Sequence, residues 1–294
     1  MPKYFLTLVS REWYEGFKKN IDRVDIIQGV KAWKRRTPIS SGDIIVLVAK
    51  TKGESRKNWE AVGEIEVIDI KKIDKNEYEE IKKKGRIYEP PIPDFSRGPI
   101  DISVVKNFKE YPVKVKLSEL CNVKTRRSKE PICKWAITGV TPIDELAIQG
   151  IRKKALVKMI VELGKILGFC VTSEEETPDK LHKIDVTWRS AYENFPQMIF
   201  EVEFSSNLDT ALAKLMHAFH IWHSNLYLIV ADERRKEEAM KLVEPKLKSS
   251  FASIADKLAI VGTDDIIGLY KRALPIKELT KGLIEELSRW IPYG

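Results

Sequence analysis

The residues best suited to chemistry lie in the second half of the chain. In Ile199-Phe200-Glu201-Val202-Glu203-Phe204 apolar and acidic residues alternate. A strand sends successive side chains to opposite faces, so Glu201 and Glu203 share one face while Phe200, Val202 and Phe204 bury on the other. Asp185 interrupts the apolar strand Lys183 to Trp188, 16 residues before Glu201, with Asn194 and Pro196 in the turn between. A hairpin of that length brings Asp185 beside Glu201. Carboxylates gathered at strand ends repel one another unless a cation fills the gap, and hard oxygen donors select Mg²⁺, with Mn²⁺ able to substitute. Such an ion polarises a phosphodiester and activates water, so metal-dependent phosphodiester hydrolysis is the chemistry these three residues point to.

The next segment, Leu208 to Trp222, reads as a helix with Leu208, Ala211, Leu212, Leu215, Phe219 and Trp222 on one face. On that helix Lys214 can bring an ammonium to the carboxylates, and His217, one turn further along the same face, is a second candidate. His182, His217, His220 and His223 do not form a zinc set, because the last three are spaced by three and drift around the helix.

These residues need a scaffold. Ile151 to Leu167 carries a helical stripe of Ala155, Met159, Leu163 and Ile166; Leu226 to Ala231 is a fully buried strand; helices at 235–247 and 276–290 and a strand at Leu258 to Val261 complete an α/β layer. The first half reads differently. Strands are expected at Tyr4 to Val9, Asp43 to Ala49, Ala61 to Ile68 and Tyr111 to Leu117, with a helix at Arg11 to Lys19 and a Pro-rich loop at Tyr88 to Pro99. The boundary falls near Thr141-Pro142, giving domains 1–145 and 146–294 of a two-domain α+β and α/β protein.

Composition agrees with two folded domains. The chain has 294 residues, is 43% hydrophobic and contains 7 Trp, 9 Tyr and 10 Phe, which excludes a disordered chain. Of its 51 basic and 43 acidic side chains, 30 and 22 lie in residues 1–145, so the whole net charge of +8 sits in the first half. A localised basic excess suits a phosphate-binding surface. Two clusters stand out: Lys31-Ala-Trp33-Lys34-Arg35-Arg36, whose Trp33 can stack on a base, and Lys124-Thr-Arg126-Arg127-Ser-Lys129. No run approaches the ~20 apolar residues that span a bilayer, and no leader is evident, so a cytoplasmic protein without a membrane partner is expected. Cys121, Cys133 and Cys170 lack C-x-x-C spacing and read as free thiols. The abundance of Lys, Glu and Ile leans toward a thermophile.

An acid on one strand, an acid-x-acid strand after a turn, and then a helix opening on Ser205-Ser206-Asn207 resembles the PD-(D/E)xK nuclease superfamily, over about residues 150–235. The resemblance implies a restriction-endonuclease-like α/β sandwich around a mixed sheet, with Asp185 and Glu201 holding the metal. It adds Glu162, on the preceding helix, as a further acidic contributor. The third motif position, usually Lys, is Glu203 here; some restriction endonucleases of the superfamily carry Glu there. The general base stays open between Lys214 and His217.

The first half, with its strand, helix, Gly29 turn, Gly42-Asp43 strand and Val62-Gly63-Glu64 strand, is similar to the EVE domain of the PUA-like superfamily over about residues 1–145. The resemblance implies a small β-barrel with helices that encloses a flipped, modified base, stacking offsetting the lost duplex contacts. Ser10 then falls at a pocket position, and Trp13, Trp33, Trp59 and Trp135 are the stacking candidates. Gln28 stands where a Trp commonly precedes the glycine.

Together the two resemblances imply a modification-dependent restriction endonuclease that takes double-stranded DNA with a modified base, methylated cytosine above all, cuts it with Mg²⁺ and works as a homodimer. The rival reading is a non-catalytic or RNA-directed PUA-like nucleic-acid-binding protein with a degenerate nuclease fold.

Overall fold

The computed structural model describes residues 3–21, 26–28, 39–84, 86, 95–121, 140–204, 207–244 and 250–290. Trp33, Lys34, Arg35, Arg36, Arg126, Arg127 and Trp135 lie outside them. The chain divides into two compact units, Met1–Lys154 and Ala155–Gly294, a division further along than the 145/146 boundary read from Thr141-Pro142.

In the first unit, β1 (Tyr4–Ser10), β2 (Ile26–Gln28), β3 (Ile44–Lys50), β4 (Glu60–Ile73), β5 (Ile100–Lys116) and β6 (Val140–Ile143) form one sheet in the order β2-β5-β4-β3-β1-β6. β1 and β3 run parallel and every other neighbouring pair is antiparallel. Among the described residues β2 and β6 each pair with one neighbour only, so the sheet is open there and the expected closed barrel is not formed. Helix α1 (Arg11–Lys19) starts on Ser10, whose Oγ accepts from Trp13 N at 3.1 Å, and carries Glu12 in its first turn and Lys18 and Lys19 in its last. That arrangement satisfies an orphan N–H and suits the helix dipole. Its buried Tyr14 and Phe17 pack with Phe5, Ile45, Leu47, Val62 and Ile65 in the core. Each such side chain contributes about 1.5–3 kcal/mol by leaving water.

The β4–β5 ladder shifts register three times, between Ala61 and Gly63, Glu64 and Glu66, and Val67 and Asp69, and Asn107 sits at φ 54°. Bulges twist a hairpin strongly and break its alternation. That is why the sequence pattern marks only the end of β5, from Tyr111. At Gly63 the strands approach so closely that a Cβ would lie 2.7 Å from the Lys109 carbonyl. Helix α2 (Lys75–Lys83), not expected from the sequence, is opened by a capping box between Asp74 and Glu77. Glu64 is buried and held by three donors. The Tyr111 hydroxyl donates to Oε1 at 2.5 Å, and Arg152 donates from Nε to Oε1 at 2.9 Å and from Nη2 to Oε2 at 2.5 Å.

The expectation of free thiols holds at Cys170 and fails at Cys121, which is disulfide-bonded. Missing C-x-x-C spacing argues against a metal knuckle, but it says nothing about which cysteines the fold brings within bonding distance.

In the second unit, β7 (Cys170–Glu176), β8 (Lys183–Arg189), β9 (Met198–Glu203), β10 (Asn225–Val230) and β11 (Leu258–Gly262) form a sheet in the order β11-β10-β9-β8-β7. β7, β8 and β9 are antiparallel, while β9, β10 and β11 are parallel, so the sheet is mixed. Helix α3 (Glu145–Ile166) runs across the division between the units. Its Gly164 is so close to the sheet that a Cβ would lie 2.6 Å from the Trp188 ring. Trp188 and Phe200 pack behind it, their rings tilted by 45° with centres 4.5 Å apart. Helix α4 (Leu208–Trp222) covers the other face, where Leu208, Leu212, Leu215 and Trp222 pack with Ile199, Leu226, Leu228 and Val230.

Helix α5 (Glu233–Val243) and helix α6 (Thr263–Trp290) follow. Pro275 lies inside α6, and reading it as a boundary explains the expected start at 276. β7 is unexpected from the sequence because its Glu174-Glu175-Glu176 run hides any alternation. No helix among the described residues is long and apolar enough to cross a membrane.

Candidate active site

The sheet of the second unit comes apart at Asp185. The β8–β9 pairing stops at Val186 and Phe200, and β7–β8 pairing passes from Ser173–Val186 to Glu175–Ile184 with no pair at Glu174 and Asp185. Glu174 is at φ 54°, a left-handed conformation that a strand cannot accommodate. Side chains take over the bonding there. Asp185 N donates to Glu201 Oε1 at 3.1 Å, and Val202 N donates to Asp185 Oδ2 at 2.8 Å. Glu201 is almost fully buried, with 2% exposure, and Asp185 is half-buried.

Lys214, on α4, places Nζ 3.3 Å from Glu201 Oε2 and 3.1 Å from the Lys183 carbonyl. A nearby cation offsets the several kcal/mol that burying a carboxylate costs. The hairpin thus joins Asp185 to Glu201, and α4 adds Lys214.

Two further expected members have other placements. Glu203 ends β9 opposite Val230, half-buried, and takes no part in the bonds between Asp185 and Glu201. Among the described residues no group of three or more His, Cys, Asp or Glu side chains is arranged to hold a metal, so the three-carboxylate cage reduces to a pair. Glu162 is bound instead by the Tyr270 hydroxyl at 2.6 Å and by Lys277 Nζ at 3.4 Å, both on α6. Its helix packs against the Trp188 face of the sheet, away from α4. Burial, then the bond to Glu162, pushes the Tyr270 phenol up.

Several polar residues that sequence reasoning passed over line the same region. The Thr187 hydroxyl and Arg189 Nη2 both donate to Glu175, and Arg189 Nη1 donates to Thr172 Oγ1 at 3.1 Å. Asp185, Thr187 and Arg189 alternate along β8, a signal present in the sequence; Glu175 leaves none. On the β7–β8 connection, Asp179 Oδ2 lies 2.7 Å from His217 Nε2, and the His182 and His217 rings meet edge-on with centres 4.8 Å apart. The Thr177 hydroxyl above all, with the Leu181 N–H and His217, holds the Asp179 carboxyl below the usual carboxylate range against a smaller desolvation effect.

The candidates of the first unit that are described have local roles. Ser10 caps α1, and Trp13 stacks on Phe17 with ring centres 5.0 Å apart. The Trp59 carbonyl accepts from Leu117 N at 2.8 Å, while its indole Nε1, like Arg56 Nε and Nη2, is buried without a hydrogen-bond partner among the described residues. Gln28 lies on β2 opposite Ile102.

The pair Asp185 and Glu201 suits Mg²⁺ in donor chemistry, because that ion takes one or two carboxylates from a protein and fills its remaining positions with water and phosphate oxygens.

No family model matches the chain, and no curated protein matches it. Among solved structures, ASCH from Zymomonas mobilis is similar with TM-score 0.36 and 12% identity, over 50% of this chain and 92% of that one. A mutant form of the same protein gives 0.35 and 13%, over 50% and 94%.

Proposed function

We propose that the chain is a modification-dependent DNA endonuclease. Its second unit hydrolyses phosphodiesters, and its first binds double-stranded DNA through a modified base, methylated cytosine flipped out of the stack. The observation that carries the reading is the meeting of Asp185, Glu201 and Lys214 where β8 loses its pairing to both neighbours. Asp185 and Glu201 would hold Mg²⁺, which supplies Lewis-acid activation of the phosphodiester and of water. Their backbone bonds keep both carboxylates in place before substrate arrives. The Lys214 ammonium offsets part of the negative charge that a phosphate brings to two carboxylates. The basic excess of residues 1–145 supports phosphate binding by that half. A duplex cut on both strands calls for two such sites, and hence a homodimer.

Purified protein with Mg²⁺ is expected to cleave methylated duplex and spare the unmodified one. Asp185→Ala should abolish cutting and retain binding. Cleavage indifferent to modification removes the reader half of the proposal.

One observation favours a second reading, a nucleic-acid-binding protein without catalysis: Lys214 already stands 3.3 Å from Glu201 and offsets the charge that a metal ion would meet there. Calorimetry with Mn²⁺ separates the two, since a dead site does not retain the ion. Competition between methylated duplex and structured RNA decides the nucleic acid.

A further inference from the structure

We propose that His217 is the proton-accepting residue of this site, working through Nδ1, with Asp179 as its positioning residue; the inference rests on reading the second unit as a phosphodiester hydrolase. The site needs such a group. Glu203 occupies the position usual for Lys and is itself an acid, and Lys214 lies against Glu201 and the Lys183 carbonyl. His217 follows Lys214 by one turn of α4, and residues so spaced have Cβ atoms about 5–6 Å apart on one helix face. The contacts join up, because His182, which packs against the His217 ring, precedes the residue whose carbonyl receives Lys214.

The tautomer follows from the partners. Asp179 Oδ1 accepts from the Thr177 hydroxyl at 2.6 Å and from Leu181 N at 3.1 Å, interactions that favour its ionised form. An ionised carboxylate only accepts, so the proton between Asp179 Oδ2 and His217 Nε2 belongs to the histidine. Neutral His217 therefore carries its lone pair on Nδ1, which has no hydrogen-bond partner among the described residues. Among the described residues Lys214 and His220 precede and follow His217 by one turn of α4, and Asp179 and His182 meet it from the β7–β8 connection. With 28% of its side chain exposed, His217 is also open to solvent.

In the step assigned to it, a water oxygen bonds to phosphorus, the water's proton passes to Nδ1, and the phosphorus–ester oxygen bond breaks. The leaving oxygen takes a proton from solvent, and the imidazolium returns its own.

Imidazole ¹⁵N NMR of the metal-free protein tests the tautomer: Nε2 protonated in the wild type, a mixture in Asp179→Ala. With Mg²⁺ and methylated duplex, His217→Ala should lose about 10²–10⁴-fold in kcat, with KM and calorimetric Mn²⁺ binding unchanged. Added imidazole should restore part of the rate in proportion to its free base, a rescue that a merely structural role would not give. A wild-type protein carrying its proton on Nδ1, or His217→Ala cutting at full rate while Asp185→Ala is dead, overturns this proposal and leaves the hydrolase reading standing. A wild-type protein that cuts no DNA overturns both.

Discussion

Asp185 and Glu201 grip each other through the main chain: Val202 N–H donates to Asp185 Oδ2 at 2.8 Å, and Asp185 N–H donates to Glu201 Oε1 at 3.1 Å. Backbone donors that a regular ladder would satisfy are satisfied by carboxylates. The exchange fixes two acidic side chains that would otherwise move apart by mutual repulsion, and it continues the hairpin just beyond the β8–β9 pairs from Val186 to Trp188.

The Lys214 ammonium stands 3.3 Å from the buried Glu201 carboxylate. Removing one partner of a buried pair costs 3–5 kcal/mol, and because Lys214 is partly exposed the expected loss for Lys214→Met is about 2 kcal/mol. Urea midpoints measure it. Adding Glu201→Gln should recover part of the loss, since the two positions share one interaction.

Arg152 grips both oxygens of Glu64 in the first unit. Arg152→Met leaves that carboxylate buried with the Tyr111 hydroxyl, and a loss of about 3 kcal/mol is expected. Glu64→Gln in the same background should soften it. Equal stabilities of wild type and Arg152→Met in chemical denaturation would contradict this.

Gly164 faces the Trp188 indole, where a Cβ would stand 2.6 Å from the ring and from Val171. Gly164→Ala forces α3 off the sheet, at about 1–3 kcal/mol. A lower Tm with an altered near-ultraviolet tryptophan signal is the expected result.

Asp179 supplies a pH dependence. Its carboxyl is held below the ordinary carboxylate value, chiefly by the Thr177 hydroxyl. A depressed folded-state value stabilises the fold above the unfolded value, and the contribution disappears as pH falls through the depressed one. The Tm difference between wild type and Asp179→Ala should therefore be constant near neutrality and shrink below about pH 4. A difference independent of pH would remove Asp179 from the acid transition.

Much of the second unit could be read from side-chain periodicity. The Glu201 strand, the Asp185 strand and the amphipathic α4 each state their burial in sequence, and the hairpin length sufficed to bring the acids together. Glu162 was misplaced because helical spacing reports which face is apolar but not which side of a sheet the helix covers; the close approach of Gly164 to Trp188 decides that. Asp179 and Glu175 escaped because their partners, His217 and Arg189, are 38 and 14 residues distant along the chain. In the first unit, the three register shifts of β4–β5 hide the long strand from any period-two pattern.

The missing rungs beside Asp185 give this sheet a built-in reporter. Amide protons of Asp185 and Val202 are shielded by carboxylate oxygens rather than by neighbouring strands, so their exchange with deuterium follows the state of those oxygens. A divalent ion drawing on the same oxygens would quicken deuterium uptake at two main-chain positions while the rest of β8 and β9 stayed protected.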